Sequence, residues 1–327
     1  MMSTVSKFTY LAAACCIAVL GSTGAMAQAY PAKPIQLVIP FPPGGATDVI
    51  GRLLGKQLSD RLGQSVVIDN RPGAGTIVGA SYVAKAAPDG YTLFISSGTT
   101  FTVNPAIHAK LPYDPVKSFE PIGLTGRTGL ILLANRDVPV NNMKELVAAA
   151  RATPGKYSYG SFGTGTTAHF AGEMLFHTTG IQMLHVPYKG SSPAMTDLIG
   201  GQIPFTVDTV AAAVPQVKAG KVKAIAVTTA KRSTLLPDVP TVAESGYPGM
   251  DADTWLAVVA PRGLPPEVKA KLEKALEQTM ADPDTRSKLL ANGFEPSFGT
   301  SAELASLITR ELPKMRAVAQ RANITAD

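Results

Sequence analysis

Two glycine-rich turns have the residue types and the setting of an anion-binding site. Residues 44–47 have the sequence Gly-Gly-Ala-Thr and follow an apolar run, residues 35–39. After the turn, apolar residues recur every four positions from Ile50 to Leu62, which is typical of a strand, a tight turn and an amphipathic helix. Backbone N–H groups at a helix start lack partners, and the helix dipole is positive there. The turn is therefore predicted to bind an anion.

A plain helix start is the alternative for this turn, with Asp48 paired to Arg52 four residues later. Asp48 also argues against a phosphate ligand, because its carboxylate competes for the same N–H donors. No Gly-Lys-Ser or Gly-Lys-Thr follows the glycines, so the turn is not a nucleotide-binding P-loop.

The second turn, residues 163–168, has the sequence Gly-Thr-Gly-Thr-Thr-Ala between a predicted strand and a predicted helix. Its spacing fits the dinucleotide fingerprint G-x-G-x-x-A. The acidic residue expected about 20 positions later is absent, because the next strand ends in Tyr188 and Lys189. We therefore expect no cofactor and interpret this turn as a second anion site of N–H groups and threonine hydroxyls.

Metal and nucleophile chemistry have weaker support. His169, Glu173 and His177 follow one another at intervals of four residues, but the two histidines lie about 12 Å apart along a helix and cannot share one ion. No metal site is therefore expected. His169 is beside the second turn, where it contacts either the ligand or the protein core. No G-x-S-x-G motif surrounds a serine, although a secreted α/β hydrolase or nucleotide-dependent oxidoreductase stays as an alternative function.

The elements that position these turns follow an alternating strand and helix pattern, which predicts parallel sheets covered by helices on both faces. Residues 97–100 follow the third predicted strand, at the edge where open α/β sheets bind ligands. A long apolar stretch, residues 122–134, is interrupted by two glycines and predicts a crossing between domains; residues 254–259 predict the return. The predicted fold is two doubly wound α/β domains around a ligand cleft, a type II periplasmic binding protein architecture, with domain 1 at residues 28–128 plus 252–327 and domain 2 at residues 129–251.

Five ordered blocks of sequence resemble the Bug proteins, the solute receptors of tripartite tricarboxylate transport. They are Tyr-Pro-x-x-Pro-Ile-x-Leu-Val-Ile-Pro-Phe-x-x-Gly-Gly-x-x-Asp-x-x-x-Arg (30–52), Asp-Asn-Arg-Pro-Gly-Ala-Gly (69–75), Ala-Pro-Asp-Gly-Tyr-Thr-Leu (87–93), His-Val-Pro-Tyr-Lys-Gly (185–190) and Leu-Pro-Asp-Val-Pro-Thr-Val-Ala-Glu-Ser-Gly (236–246). The resemblance implies the same two-domain fold, with the second turn facing the ligand. It also implies that an acid near Asp208 can receive a donor from the ligand, whereas capping of the next helix is the alternative for this residue.

The first 27 residues have the pattern of a cleavable signal peptide. Lys7 precedes an apolar stretch, residues 10–20, and Ala-Met-Ala ends at residue 27. Cys15 and Cys16, the only cysteines in the sequence, lie within this segment. The expected location of the mature protein is therefore the periplasm. The formal net charge is only +6, and the sequence has no run of basic residues with interleaved aromatic residues. Nucleic acid is therefore not an expected partner.

Together these patterns predict a monomeric receptor, not an enzyme, that closes over a small carboxylate and delivers it to the membrane permease of a tripartite tricarboxylate transporter. Two facing anion sites favour a dicarboxylate, and Phe41 and Phe170 are expected to flank its aliphatic or aromatic spacer. A receptor that serves a sensor kinase instead of a permease would have the same cleft. The candidate ligand-binding residues are Phe41, Gly44, Gly45, Ala46, Thr47, Ser97, Thr99, Gly163, Thr164, Gly165, Thr166, Thr167, His169 and Asp208.

Overall fold

The computed structural model describes residues 30–321 and 324–325. The predicted signal peptide and both cysteines lie outside these residues. The strands are β1 (Ile35–Ile39), β2 (Val66–Asn70), β3 (Thr92–Ser97), β4 (Phe119–Asn135), β5 (Ser158–Ser161), β6 (Leu184–Pro187), β7 (Phe205–Thr209), β8 (Val222–Val227), β9 (Asp253–Pro261) and β10 (Glu295–Gly299). The α-helices are α1 (Ala46–Leu62), α2 (Ile77–Ala84), α3 (Asn104–Ile107), α4 (Met143–Ala152), α5 (Thr167–Thr179), α6 (Ser191–Ile199), α7 (Val210–Lys218), α8 (Pro266–Ala281), α9 (Pro283–Ala291) and α10 (Ser301–Arg321).

The first lobe is built on a sheet with β1 at the centre of a parallel set. β1 pairs with β2 on one side and β3 on the other, and β9 then pairs antiparallel with β3. Because side chains alternate along a strand, Leu37 and Ile39 pack in a core on one face of β1, whereas Val38 packs in a different core on the other face. The apolar stripe of α1, which includes Leu54 and Leu58, belongs to the first of these cores.

The second lobe repeats this arrangement. β5 pairs in parallel with β6 and β7, and both β7 and β8 pair antiparallel with β4. Leu130 and Leu132 of β4 pack in one core, and Ile131 and Leu133 pack in another. Helices therefore cover both faces of this sheet as well, and the observed architecture is the two-lobed α/β architecture that the sequence predicts.

β4 connects the two lobes. This strand pairs with β9 and β10 in the first lobe and with β7 and β8 in the second, so all ten named strands form one curled sheet. Near the crossing, Arg127 Nη1 donates to both carboxylate oxygens of Asp253 at 3.0 and 2.9 Å. One guanidinium nitrogen thus contacts both oxygens, and this ion pair links the two strands that cross between the lobes. The predicted domain boundaries fall within β4 and directly before β9, and they stay a prediction.

Three stretches have structure that the sequence patterns do not predict. A π-helical turn, Thr99–Val103, leads into α3, and α9 and β10 follow α8. Among the described residues, none of the helices combines the length and the apolar composition needed to cross a membrane.

Candidate functional site

The two lobes close on one another around a small cavity. Its volume is about 40 Å³, on a scale where one water needs about 10 to 15 Å³. Asp208 is the only charged residue in its described lining. The lining consists of Phe41, Pro42, Gly45, Ala46, Thr47, Ile50, Ser97, Thr128, Phe162, Thr167, Ser191, Ser192, Asp208, Thr209, Thr254, Leu256 and Phe294.

Two helices begin at this cavity without a side-chain cap. Gly45 precedes α1 and Gly190 precedes α6, and neither cap position accepts a hydrogen bond through a side chain. The two starts face each other across the lobes, since a Cβ added to Gly45 would lie 3.8 Å from Ser191 Cβ. First-turn N–H groups have no acceptor within their own helix. Both helix starts therefore offer N–H donors and a positive dipole end to an anion.

Asp48 leaves the donors at the start of α1 available. Its carboxylate accepts hydrogen bonds of 2.9 Å each from Gly44 N, Arg52 Nε and Asn70 Nδ2. Burial raises the pKa of this carboxyl, but the hydrogen bonds from Arg52, Gly44 and Asn70 outweigh burial and hold the pKa below its usual value. Asp48 is thus committed to the protein and does not line the cavity.

Asp208 is the next-to-last residue of β7 and is fully buried. Ser191 Oγ donates to Asp208 Oδ2 at 2.6 Å, and Thr209 N donates to Asp208 Oδ1 at 2.7 Å. Burial raises the pKa of Asp208 to about 6, although the hydrogen bonds from Ser191 and Thr209 oppose that rise. The carboxyl group therefore changes protonation near neutral pH within the cavity wall.

Three backbone N–H groups of the second glycine turn, those of Gly163, Gly165 and Thr167, donate hydrogen bonds within the protein. Gly163 N donates to Ser161 Oγ at 3.1 Å, and Gly165 N donates to His169 Nδ1 at 3.2 Å. Thr167 N donates to Thr99 Oγ1 of the other lobe at 3.1 Å. These N–H groups hold the turn and fasten the lobes, so the second uncapped helix start at the cavity belongs to α6 instead.

A stacked pair of histidines packs against this turn. The rings of His169 and His185 lie 4.0 Å apart at 11°, and His185 Nε2 is 2.7 Å from Ser161 Oγ. Burial lowers the pKa of His169 to about 4; burial and the neighbouring His169 lower the pKa of His185 to about 3. Ser161 is fully buried and also contacts Gly163, so this serine and histidine pair has no access to a substrate. Among the described residues, no cluster of three metal-ligating side chains occurs.

The structure brings part of the predicted set together at the cavity. The predicted residues that line it are Phe41, Gly45, Ala46, Thr47, Ser97, Thr167 and Asp208. Gly44 lies in a groove on one side of the cavity, and Gly163 and Thr164 lie in a wider opening on the other. The hydrogen bonds that stabilise the second turn involve four further predicted residues, Thr99, Gly165, Thr166 and His169. Phe170 packs with Val103 and Val318 away from the cavity, and Phe162 takes the expected place, 6.1 Å from Phe41.

The sequence patterns do not predict several residues of the cavity lining, because these residues reach the cavity only when the lobes are closed. Ser191 and Ser192 directly follow residues 185–190, a block identified by resemblance, and a serine pair after glycine is a usable signal for a helix start. Four other lining residues come from strands and a turn near the point where β4 and β9 cross between the lobes: Thr128, Thr254, Leu256 and Phe294. No local sequence pattern assigns these residues to a ligand.

Close approach of the two lobes at the lip of the cleft, the contact between Gly190 and Pro42, requires a glycine at residue 190. Gly190 has φ of 138°, and a Cβ added there would lie 2.9 Å from Pro42 Cδ of the other lobe. Carbon atoms pack at about 3.5 to 4.0 Å. The lobes can therefore close fully only because residue 190 has no side chain.

Comparisons with known proteins agree with this fold. The model of the family described as "Tripartite tricarboxylate transporter family receptor" matches residues 50–324. The protein BugT of Bordetella pertussis is 35% identical over 89% of this chain and 90% of its own length. The solved structure of R. palustris Rpa4515 with adipate has a TM-score of 0.88 at 36% identity, covering 90% of this chain and 99% of that one. MatC from Rhodopseudomonas palustris, with bound malate, has a TM-score of 0.83 at 31% identity, covering 88% and 99%.

Gly190→Ala should weaken ligand binding by opposing closure. The methyl group would overlap Pro42 in the closed form, and strain of roughly 1 to 3 kcal/mol corresponds to about 5- to 150-fold in affinity. Calorimetric titration measures the change. Gly246→Ala is the matched control, because Gly246 also has positive φ (98°) but no atom lies within 4 Å of an added Cβ. It should lower stability and leave affinity intact; equal affinity for both variants would show that the lip does not limit closure.

Proposed function

The chain belongs to the family of tripartite tricarboxylate transporter receptors, and from that premise we propose that it captures a small carboxylate between its lobes and delivers it to the membrane permease of such a transporter. One observation carries the ligand class. The uncapped starts of α1 and α6 face each other across a closed cavity whose described lining includes no lysine or arginine. N–H groups at helix starts suit a carboxylate, because they supply donors and partial positive charge without a counter-ion.

A ligand with two acidic ends fits the two helix starts best. Each start supplies the first-turn N–H groups of one helix, at Ala46 and Thr47 in α1 and at Ser191 and Ser192 in α6. Apolar side chains, Phe41, Phe162 and Leu256 among them, lie around the remaining space, where they can cover a hydrocarbon spacer. Adipate and malate, the ligands of the two similar structures, are both dicarboxylates, which supports this class of ligand.

The proposed function also includes a cellular location and the absence of catalysis. Residues 1–27 have the pattern of a signal peptide, so we place the mature chain in the periplasm, as a monomer that meets permease subunits. We propose that it performs no chemistry and uses no cofactor. The contact of Ser161 with His185 would favour a hydrolase, but the burial of Ser161 argues against that function.

A thermal-shift panel tests the ligand class. Binding to the folded state at a hundredfold excess over Kd stabilises it by about 2.7 kcal/mol, which corresponds to a rise in Tm on the order of 5 to 10 °C for lobes of this size. Succinate, glutarate, adipate, citrate and benzoate are the probes, with the monomethyl ester of each dicarboxylate as its matched control. At least one dicarboxylate should raise Tm more than its ester and be recovered unaltered. A shift caused by sugars or nucleotides alone would contradict the proposal, as would a chemically changed ligand.

The affinity for a dicarboxylate should fall as the pH rises from about 6 to about 8. Burial raises the pKa of the free Asp208 carboxyl to about 6, and a bound carboxylate raises it further by repulsion. Binding therefore takes up a proton above the free pKa, and each pH unit costs up to about tenfold in affinity. Calorimetric titrations of the bound dicarboxylate at several pH values measure this dependence.

Asp208→Asn is the matched variant for this prediction, because asparagine keeps the shape of the side chain and does not titrate. Its affinity should vary little over the same pH range. An affinity of the wild-type protein that rises with pH would show the opposite role, in which ionised Asp208 receives a cationic group of the ligand.

A further inference from the structure

Two buried threonine hydroxyls at the cavity have no hydrogen-bond partner among the described residues. They are Oγ1 of Thr167 and Oγ1 of Thr254, whose residues are 8% and 4% exposed. Buried polar side chains almost always have a partner, and an unmade hydrogen bond in the protein interior is costly. A pair of such hydroxyls in the lining of one cavity therefore calls for a partner that is absent from the polypeptide.

Neighbouring threonines in the same region are satisfied. Thr128 Oγ1 donates to Gly293 O at 2.9 Å, and Thr209 Oγ1 accepts from Ala212 N at 3.2 Å. Thr99 Oγ1 accepts from Thr167 N. Among the buried side-chain atoms of the described cavity lining, the lack of a partner is thus confined to these two threonines.

Closure of the lobes brings these two residues into the lining of one cavity. Thr254 lies opposite Thr128 where β9 and β4 cross between the lobes. Thr167 is the first residue of α5, and its N–H reaches Thr99 of the other lobe only when the lobes meet. Both residues also line a recess on the side of the crossing strands, so water in that recess is the competing partner. The ligand is favoured because it occupies the space that closure seals.

We propose that Thr167 and Thr254 bind a hydroxyl group on the carbon chain of the ligand, so that this receptor prefers hydroxycarboxylates to unsubstituted carboxylates of the same length. A hydroxyl can donate to one threonine and accept from the other, whereas a methylene group can do neither. The inference rests on the proposed function and narrows its ligand class. Two hydrogen bonds of ordinary net strength correspond to a preference of about ten- to thirtyfold.

Calorimetric titration with matched pairs tests this preference. The probes are succinate against each enantiomer of malate, and glutarate against each enantiomer of 2-hydroxyglutarate. In at least one pair, a hydroxylated enantiomer should bind the wild-type protein about ten- to thirtyfold more tightly. Thr167→Val and Thr254→Val should each reduce that ratio by about fivefold or more, chiefly through weaker binding of the hydroxylated ligand, because valine keeps the shape and removes the hydroxyl.

Thermal unfolding without ligand separates this role from a structural one. Thr167→Val and Thr254→Val should leave Tm unchanged or raise it, because the hydroxyls that they remove have no partner. Thr206→Val is the control: Thr206 Oγ1 donates to Gly160 O at 2.9 Å in the core of the second lobe, so this variant should lower Tm and keep the wild-type ligand ratio.

Two results would overturn the inference while leaving the carboxylate receptor intact. One is wild-type protein that binds both members of each pair equally well, and the other is a preference that survives in both valine variants, as water in the recess would allow. Binding of neither member of any pair, together with no response to other carboxylates, would contradict the proposed function and the inference with it.

Discussion

Charge neutralisation inside a closed cavity is the constraint on which this structure depends. A carboxylate loses its water when the lobes close, and an uncompensated buried charge is prohibitively costly. The described lining of the cavity provides no lysine or arginine for this purpose. We propose that the compensation comes instead from the starts of α1 and α6, because their cap positions, Gly45 and Gly190, provide no side-chain acceptor for the first-turn N–H groups. Asp48 is held by Arg52 and Asn70 and so does not occupy those donors.

The fold makes this arrangement possible because both lobes present helix starts at the carboxyl ends of parallel strands. β1 leads into α1, and β6 leads into α6. Since β4 pairs with strands of both lobes, the two sheets share one strand and their ligand-facing edges can meet. A residue without a side chain at the contact between the lobes then allows the two backbones to approach closely, as Gly190 against Pro42 illustrates. Ligand binding and closure of the lobes are therefore coupled. The hydrogen bond from Thr167 N to Thr99 Oγ1, which joins the two lobes, forms only when the lobes have closed.

Sequence patterns predict the parts of the site that are local. The strand, turn and helix around Gly45 follow one another within 28 residues, from Ile35 to Leu62, and periodicity reveals them directly. The same reasoning identified the turn at residues 163–167 but not the direction of its N–H groups, which depends on Ser161, His169 and Thr99. Thr254 and Phe294 reach the cavity only through the return of the chain to the first lobe. Long-range packing of this kind leaves no signal within a single segment.

The most direct test of the central claim is a backbone amide NMR titration with the tightest-binding dicarboxylate and with its uncharged dimethyl ester. Amide protons that donate to a carboxylate should move downfield, and the account predicts that the largest such shifts occur at Ala46, Thr47, Ser191 and Ser192. The ester should produce much smaller shifts at these four positions. Saturable binding in which these four amides stay unshifted, while the amides of residues 163–167 or lysine and arginine side chains respond instead, would contradict the account.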